Sequence, residues 1–351
     1  MSNNSEYKYH LATWHERDKT LRCPGCGKGR GCFKEYVDDE GNPVDPTNHT
    51  CGKCDHETSC GYHLTPKEFF KANGRPDEQL TVRVERPQRN MIVIDRKWVA
   101  ATMKDYERNG FVRWLYSLPW DEEQRECLNM VVFMYVLGTS KDGGVIYWQV
   151  DEQGRVRTGK KMLYDETGHR LKNEEGNSIG FNWIHSMMQR QGFFPKDKFE
   201  MIQCLFGQHL IQGKDPKTTT IHIVESEKTA VLMAMFDSKA MDTNLWLACG
   251  GLYNLNPSKL QPFDKFKIYV YPDANGVERW KEQVKNLPNV TVETKWMKGM
   301  TAEDPKGADI ADILLRRMGE TDEAKLERMK ETCPLLKNLI ENLKLELKKK
   351  R

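Results

Sequence analysis

Six of the ten cysteines fall between Cys23 and Cys60, and no other feature constrains the fold of its region as tightly. Cys23-Pro24-Gly25-Cys26-Gly27 reads as a zinc knuckle. Two thiolates two residues apart grip one ion, and the glycine that follows permits the turn that aims backbone amides at sulfur. A second C-x-x-C, Cys51-Gly52-Lys53-Cys54, comes later in the same stretch. Tetrahedral zinc takes four such ligands, and two knuckles from distant segments close a ribbon. Cys60-Gly61 also ends like a knuckle. Cys54 and Cys60 are therefore an alternative second pair, which leaves Cys51 spare. Cys32, His49 and His63 are further candidates.

The metal reading requires reduced thiols. Met1–His15 lacks the apolar run of a signal peptide. No apolar stretch approaches the roughly 20 residues that cross a bilayer. The sequence thus points to a cytoplasmic protein with no membrane partner. Its 351 residues, 38% hydrophobic and 30% charged, have room for two or three domains. The net charge of +3 identifies no partner, so local charge matters more. Arg155-Val156-Arg157-Thr158-Gly159-Lys160-Lys161 carries four cations and no acid, and Lys348-Lys349-Lys350-Arg351 ends the chain.

The organisation expected is a cysteine-rich head over 1–73, a linker over 74–95 punctuated by Gly74, Pro76 and Pro87, a middle subdomain over 96–219, an α/β domain over 220–319 and a helical tail over 320–351. In the middle part Trp98–Tyr116 reads as a helix. Val145–Val150 and Lys160–Tyr164 read as strands around a turn at Glu152-Gln153-Gly154. From Thr220 strands and helices alternate. Ile221–Val224, Asn244–Cys249, Lys267–Tyr271 and Val290–Trp296 are the strands, and Ser226–Phe236, Val277–Leu287 and Ile310–Met318 the helices. Such alternation implies a mostly parallel sheet covered on both faces. Leu336, Ile340, Leu343 and Leu347 form one stripe of a terminal helix.

Strand Ile221–Val224 delivers Glu225 to the carboxyl end of the sheet, where open α/β folds place their sites. Ser226-Glu227-Lys228-Thr229 then starts a helix. Lys267–Tyr271 delivers Pro272-Asp273-Ala274-Asn275. Adjacent strand ends would bring Glu225 and Asp273 within reach of one hard divalent ion, and magnesium takes oxygen ligands and bridges to phosphates. Cys249-Gly250-Gly251 ends the intervening strand, where glycines let a backbone approach a phosphate closely. Arg155, Arg157, Lys160 and Lys161 lie on or beside the hairpin, with Tyr147 and Trp148 nearby. Cations of this kind bind phosphates and aromatic faces stack unpaired bases. No G-x-x-x-x-G-K-[ST] is present, so no ATPase engine is expected.

Val224-Glu225-Ser226-Glu227-Lys228-Thr229-Ala230, then Gly250-Gly251, then Pro272-Asp273 resembles the Toprim domain of bacterial primases, type IA topoisomerases and related nucleases. The family's glutamate matches Glu225, and the first Asp of its Asp-x-Asp motif matches Asp273. Asn275 stands where the second Asp would be, with Glu227, Glu278, Asp309 or Asp312 as possible substitutes. A zinc head ahead of such a domain is similar to bacterial and phage primases. Tyr147–Asp151, Gly154–Lys160 and Gly168–Lys172 resemble the basic subdomain that precedes Toprim there. The whole chain resembles zinc-headed, Toprim-like proteins carried by Bacteroidetes genomes and mobile elements. In those the stretch from Cys54 to His63 resembles G-R-C-D-x-E-x-x-C-G-Y-H, which favours Cys54 and Cys60 over Cys51.

The resemblance implies an α/β protein with a zinc ribbon, a middle subdomain bearing a basic hairpin, a Toprim-like parallel sheet flanked by helices, and a C-terminal helix. It implies primase-type nucleotidyl transfer on a single-stranded DNA template, in replication or mobilisation of DNA. Structural Zn²⁺ would sit in the head, and Mg²⁺ or Mn²⁺ at Glu225 and Asp273. Lys228 would neutralise phosphate, and Arg157, Lys160 and Lys161 would hold template or nucleotide. Nucleotides, and a separate helicase or other replication protein, would be partners. The rival expectations are a catalytically degenerate DNA-binding accessory protein, which Asn275 favours, and a Toprim nuclease.

Overall fold

The computed structural model describes residues 9–74 except 14, 15, 17, 30, 39 and 57–59, and residues 89–345 except 175, 197 and 344. Of the linker expected over 74–95, residues 75–88 lie outside them, as do Leu347 and the basic end Lys348–Arg351. Its last residues are not linker, since Asn90–Met91 form a strand and Ile92 and Ile94 are buried in the core of the second unit. Two compact units divide the chain, residues 1–86 and 87–351.

In the first unit β1 (His10–Leu11), β2 (Phe33–Val37) and β3 (Gly52–Cys54) form an antiparallel sheet in that order. Strand β2 buries Phe33, Glu35 and Val37 and leaves Lys34 and Tyr36 half-buried, the alternation expected of a sheet with one covered face. Helix α1 (Pro66–Asn73) starts at Thr65, whose hydroxyl and the Glu68 carboxylate close a capping box. Among the described residues the apolar cluster of the head is Phe33 with Cys23 and Cys54, edged by Leu21 and Tyr62, and Ala12, Val37 and Cys51 are also buried. A core that small falls short of what a free-standing fold needs, so a metal staple has to supply part of the folding energy.

The second unit opens with β4 (Asn90–Met91), α2 (Arg96–Thr102), α3 (Gly110–Ser117) and α4 (Glu122–Met134). The single helix expected over Trp98–Tyr116 is two helices. Asp105 takes a left-handed conformation at φ 54°, and Asn109 caps α3 by accepting from the Val112 amide at 3.2 Å. An antiparallel sheet follows in the order β5 (Leu137–Thr139), β6 (Val145–Val150), β7 (Val156–Met162), β8 (Asn182–Trp183). Strand β7 thus begins earlier than the expected Lys160. Helix α5 (Ile184–Arg190) and β9 (Phe199–Glu200), which pairs with β4, complete this part.

The last part alternates as expected: β10 (Thr220–Val224), α6 (Glu227–Phe236), β11 (Asn244–Ala248), α7 (Pro257–Leu260), β12 (Lys267–Tyr271), α8 (Val277–Val284), β13 (Val290–Val292) and α9 (Ile310–Met318). All four strands are parallel, in the order β11-β10-β12-β13. Strand β13 stops short of Trp296, because a 3₁₀ turn takes over at Lys295–Gly299. Among the described residues two helices rather than one follow, α10 (Asp322–Thr332) and α11 (Pro334–Leu343).

Packing fixes where the strand ends point. Ile221 and Ile223 of β10 bury with Leu245, Leu247, Ile268, Val270 and Trp280 on one face. Val224, Trp246 and Ala248 bury against Ala230–Met235 of α6 on the other. Both faces are covered, so these strands read as apolar runs, and α6 is buried along most of its length. The same core continues through α3, α4 and the Val145 and Tyr147 face of β6. Among the described residues no helix is long and apolar enough to cross a membrane.

Candidate functional site

In the head, the sulfurs of Cys23, Cys26, Cys54 and Cys60 lie within 4.8 Å of one another. Cys23 and Cys60 are 3.6 Å apart, Cys26 and Cys54 4.0 Å. A tetrahedron with Zn–S bonds of about 2.3 Å has edges of about 3.8 Å, so the four thiols fit zinc. The Gly25 amide donates to the Cys23 sulfur at 3.3 Å and the His56 amide to the Cys54 sulfur at 3.4 Å. A side chain at Gly25 would put its Cβ 3.0 Å from the Cys60 sulfur, so the knuckle tolerates only glycine there.

Cys51, one of the candidate ligands, stands outside this cluster. Its buried sulfur faces the Leu64 carbonyl at 3.6 Å. The reason is strand geometry: Cys54 ends β3, and residues an odd number apart on an extended chain face opposite ways. Tyr36 bonds His63 at 2.9 Å, and His49 bonds Glu35 at 2.9 Å, so neither histidine joins the four thiols.

In the second unit, Val224 pairs with Tyr271 in the parallel register of β10 and β12. Glu225 and Asp273 therefore leave neighbouring strands at the same edge. Asp309, the N-cap of α9, joins them from a third element. It accepts from the Thr229 hydroxyl and exchanges capping-box bonds with Asp312. Burial pushes the Glu225 carboxyl up to about 7; the Leu252 amide, Arg170 and Lys160 pull it back, and Asp309 adds to the rise. Burial, then Glu225, Asp309 and Asp312, push Asp273 up to about 9 against the pull of Arg170. Burial and Asp312 also raise Asp309. These carboxylates repel one another in a low-dielectric crevice.

Two carboxylate oxygens here, Glu225 Oε2 and Glu227 Oε1, are buried with no hydrogen-bond partner. Lys160 Nζ donates to Glu227 Oε2 at 2.8 Å and to the Gly250 carbonyl at 3.4 Å. Gly250 sits at φ +85°, and a Cβ there would come within 3.1 Å of Glu227 Oε1, so glycine admits the backbone beside this carboxylate. Among the described residues, only cysteine-bearing groups bring three ligand atoms within 4.8 Å of one another. The acids thus form a looser cluster than the thiols.

Asn275 is exposed, with its amide against Gly307 on the loop leading to Asp309. Glu278 pairs with Lys281 on the surface of α8. Lys228 lies beside Asp309 and Asp312, whose charges act on it, while its ammonium donates to the Gly168 carbonyl at 3.0 Å and sits 4.9 Å from the centre of the Trp114 ring. Burial lowers its pKa.

The basic hairpin differs from the expected phosphate-binding face. Trp148 is 1% exposed and donates its indole N–H to the Thr102 hydroxyl at 3.0 Å, so it stacks no base. Tyr147 is buried against Phe111 and Phe206. Arg157, 8% exposed, is tied to the wholly buried Asp151 at 2.6 Å. Lys161 pairs with Asp142. Arg155 alone among the four keeps an open side chain, while bonding Asp151 at 2.8 Å. The cause is that β6 and β7 are covered on both faces. Lys160 lies inside the crevice, against Glu227 and the Gly250 carbonyl.

Sequence reasoning missed Arg170 as a site residue. Its cue was only a basic stretch, Gly168–Lys172, whereas its charge acts on Glu225 and Asp273. The Leu252 amide on Glu225 had no cue at all.

Residues 7–75 match a zinc beta-ribbon finger family, and residues 109–274 match a domain of unknown function, DUF6371. No curated protein matches. Among solved structures, the primase fragment of the bacteriophage T7 primase-helicase protein is similar at 12% identity, over 78% of this chain and 89% of that one, with a TM-score of 0.34. The DnaG primase catalytic domain bound to single-stranded DNA is similar at 13% identity, over 67% and 80%, with a TM-score of 0.34. The zinc-binding and RNA polymerase domains of Aquifex aeolicus primase are similar at 15% identity, over 96% and 86%, with a TM-score of 0.33. At these identities and TM-scores the likeness is remote. The four-thiol cluster and the family match over the head agree on a structural zinc site in an α/β protein with an N-terminal zinc ribbon and a parallel sheet flanked by helices.

Proposed function

We propose that the chain is a primase-like protein whose carboxylate crevice holds Mg²⁺ or Mn²⁺ and carries out nucleotidyl transfer on single-stranded DNA. The observation that carries the reading is the pair Glu225 and Asp273 on adjacent parallel strand ends, both raised in pKa, with Glu225 Oε2 buried and unpartnered. Oxygen donors held close against their own repulsion suit a hard cation, which relieves that repulsion. Glu225 and Asp273 would hold the ion, with Asp309 at their flank. When bound, such an ion lowers the pKa of an attacking hydroxyl and offsets charge on the phosphoryl group. Arg170, at the exposed edge, would meet the phosphates. Lys160 would fix Glu227 and keep its charge from closing the crevice to anions. The residues from Gly250 to Leu252 would keep a backbone close to the reacting groups.

The test is incubation of the full chain with single-stranded DNA, labelled nucleoside triphosphates and Mg²⁺ or Mn²⁺. New oligomers that disappear in Glu225→Gln are expected. Cut strands without synthesis would replace this reading by a nuclease. A second reading draws on Asn275, which supplies no charge where the Toprim motif has its second Asp: a DNA-binding accessory protein. It predicts no metal-dependent turnover in any variant, with DNA binding retained.

A further inference from the structure

Beside the four-thiol cluster lies a second set of metal-ligand atoms. The Cys32 sulfur, the Cys54 sulfur and a ring nitrogen of His56 are within 4.8 Å of one another. We propose that the head binds two zinc ions, the second held by Cys32, Cys54 and His56, with the Cys54 thiolate bridging the pair.

The geometry supports this at Cys54 and His56, while the Cys32 sulfur, within 4.8 Å of both, now donates to the Lys28 carbonyl at 3.1 Å and would turn from it as a ligand. Cys54 Sγ and His56 Nδ1 are 3.5 Å apart. Zn–S of about 2.3 Å and Zn–N of about 2.0–2.1 Å give a tetrahedral edge of about 3.5 Å. Cys32 is half-buried. Its strand neighbour Phe33 pairs with Cys54 across β2 and β3, and the Asp55 amide bonds the Cys32 carbonyl at 2.7 Å. Backbone hydrogen bonds therefore bring Cys32 beside the Cys54–His56 segment.

Charge favours a second cation as well. Four thiolates around one Zn²⁺ leave a net charge of −2. A second Zn²⁺ that brings only one more thiolate reduces the excess to −1. Three protein ligands leave the fourth position of the second ion open, which water or a phosphate oxygen would fill. The first ion, by contrast, is closed by four sulfurs. The two ions would thus differ in exchange: the first structural, the second labile.

The test is elemental analysis of the full chain after zinc loading under reducing conditions, with excess Mg²⁺ present to occupy carboxylate sites, and removal of unbound metal. The wild type should hold two zinc ions per chain. Cys32→Ser and His56→Asn should each hold one, with the strand signal of the head retained in circular dichroism. The two variants guard against a local folding failure in either. If His56 merely donates an N–H to a Cys54 thiolate on a single ion, the wild type will saturate at one zinc ion. If a second zinc binds elsewhere, both variants will keep two. Either result overturns the proposal.

Discussion

Lys160 Nζ lies 2.8 Å from Glu227 Oε2, with both side chains almost wholly buried. The lysine comes from the antiparallel sheet and the glutamate from the first turn of α6, so the ion pair ties the hairpin to the edge that carries Glu225. Breaking a buried pair from one side strands the other charge, at about 3–5 kcal/mol. Lys160→Met should therefore destabilise the protein by that amount and abolish turnover. Lys160→Met with Glu227→Leu should regain most of the stability but none of the turnover. Urea unfolding of Lys160→Met, Glu227→Leu and the double variant measures the coupling; additive losses would mean that the pair contributes no coupling.

The carboxylates make stability pH-dependent. An acid whose folded pKa lies above its unfolded value keeps protons in the fold that the unfolded chain has released, so stability falls as pH rises between the two values. For Glu225 that window runs from 4.5 to about 7, and for Asp273 from 3.8 to about 9. In Mg²⁺-free buffer the second unit should lose thermal stability steadily from pH 5 to 9 and recover much of it when Mg²⁺ is added. Asp273→Asn should be more stable than wild type at pH 8 without Mg²⁺, by about 1–2 kcal/mol, and should respond less to Mg²⁺. A wild type indifferent to pH in this range would show that neither burial nor mutual repulsion raises these acids.

The head tests the ligand assignment. Cys60→Ser should lose zinc and unfold the first unit, while Cys51→Ser keeps wild-type zinc content and loses only buried apolar packing. Elemental analysis decides between them, and loss of zinc in Cys51→Ser would restore the C-x-x-C pairing of Cys51 with Cys54.

Arg157 separates a structural from a binding role. Removing it leaves Asp151 buried with Arg155 alone, and Arg157→Ala should cost about 3 kcal/mol. The salt dependence of DNA binding should stay unchanged, since no phosphate contact is lost. A shallower salt slope in Arg157→Ala at unchanged stability would return this arginine to the nucleic-acid interface.

These outcomes mark where the sequence was legible. Glu225 and Asp273 could be read because apolar runs of strand length alternate with helices, and a parallel sheet gathers strand ends at one edge. The order β11-β10-β12 then follows from packing that no short motif encodes. Trp148 and Arg157 were misread for a related reason. A hairpin rich in cations looks solvated, but β6 and β7 are covered on both faces by helices distant in sequence. Asp309 was only one of several acids that could stand in for Asn275. Its capping partner Asp312 is visible as D-x-x-D, whereas its approach to Asp273 depends on how the 305–309 loop docks, with Ala308 accepting from the Ala274 amide at 2.9 Å.

Asn275→Asp probes the departure from the Toprim pattern. A third carboxylate beside Glu225 and Asp273 adds Coulomb attraction to a hard cation, and Mg²⁺ affinity should rise by about 1 kcal/mol, roughly fivefold at 25 °C. Calorimetric titration measures it. Unchanged affinity would mean that Asn275, exposed against Gly307, is turned away from the ion.

The central claim is that the Glu225–Asp273 crevice binds a divalent cation. Mn²⁺ binding to the zinc-loaded full chain, followed by the paramagnetic signal of free ion, tests it most directly. The account predicts one Mn²⁺ ion per wild-type chain, displaced by Mg²⁺, and none in Glu225→Gln with Asp273→Asn. Equal Mn²⁺ binding by wild type and the double variant, or no binding by either, would contradict it.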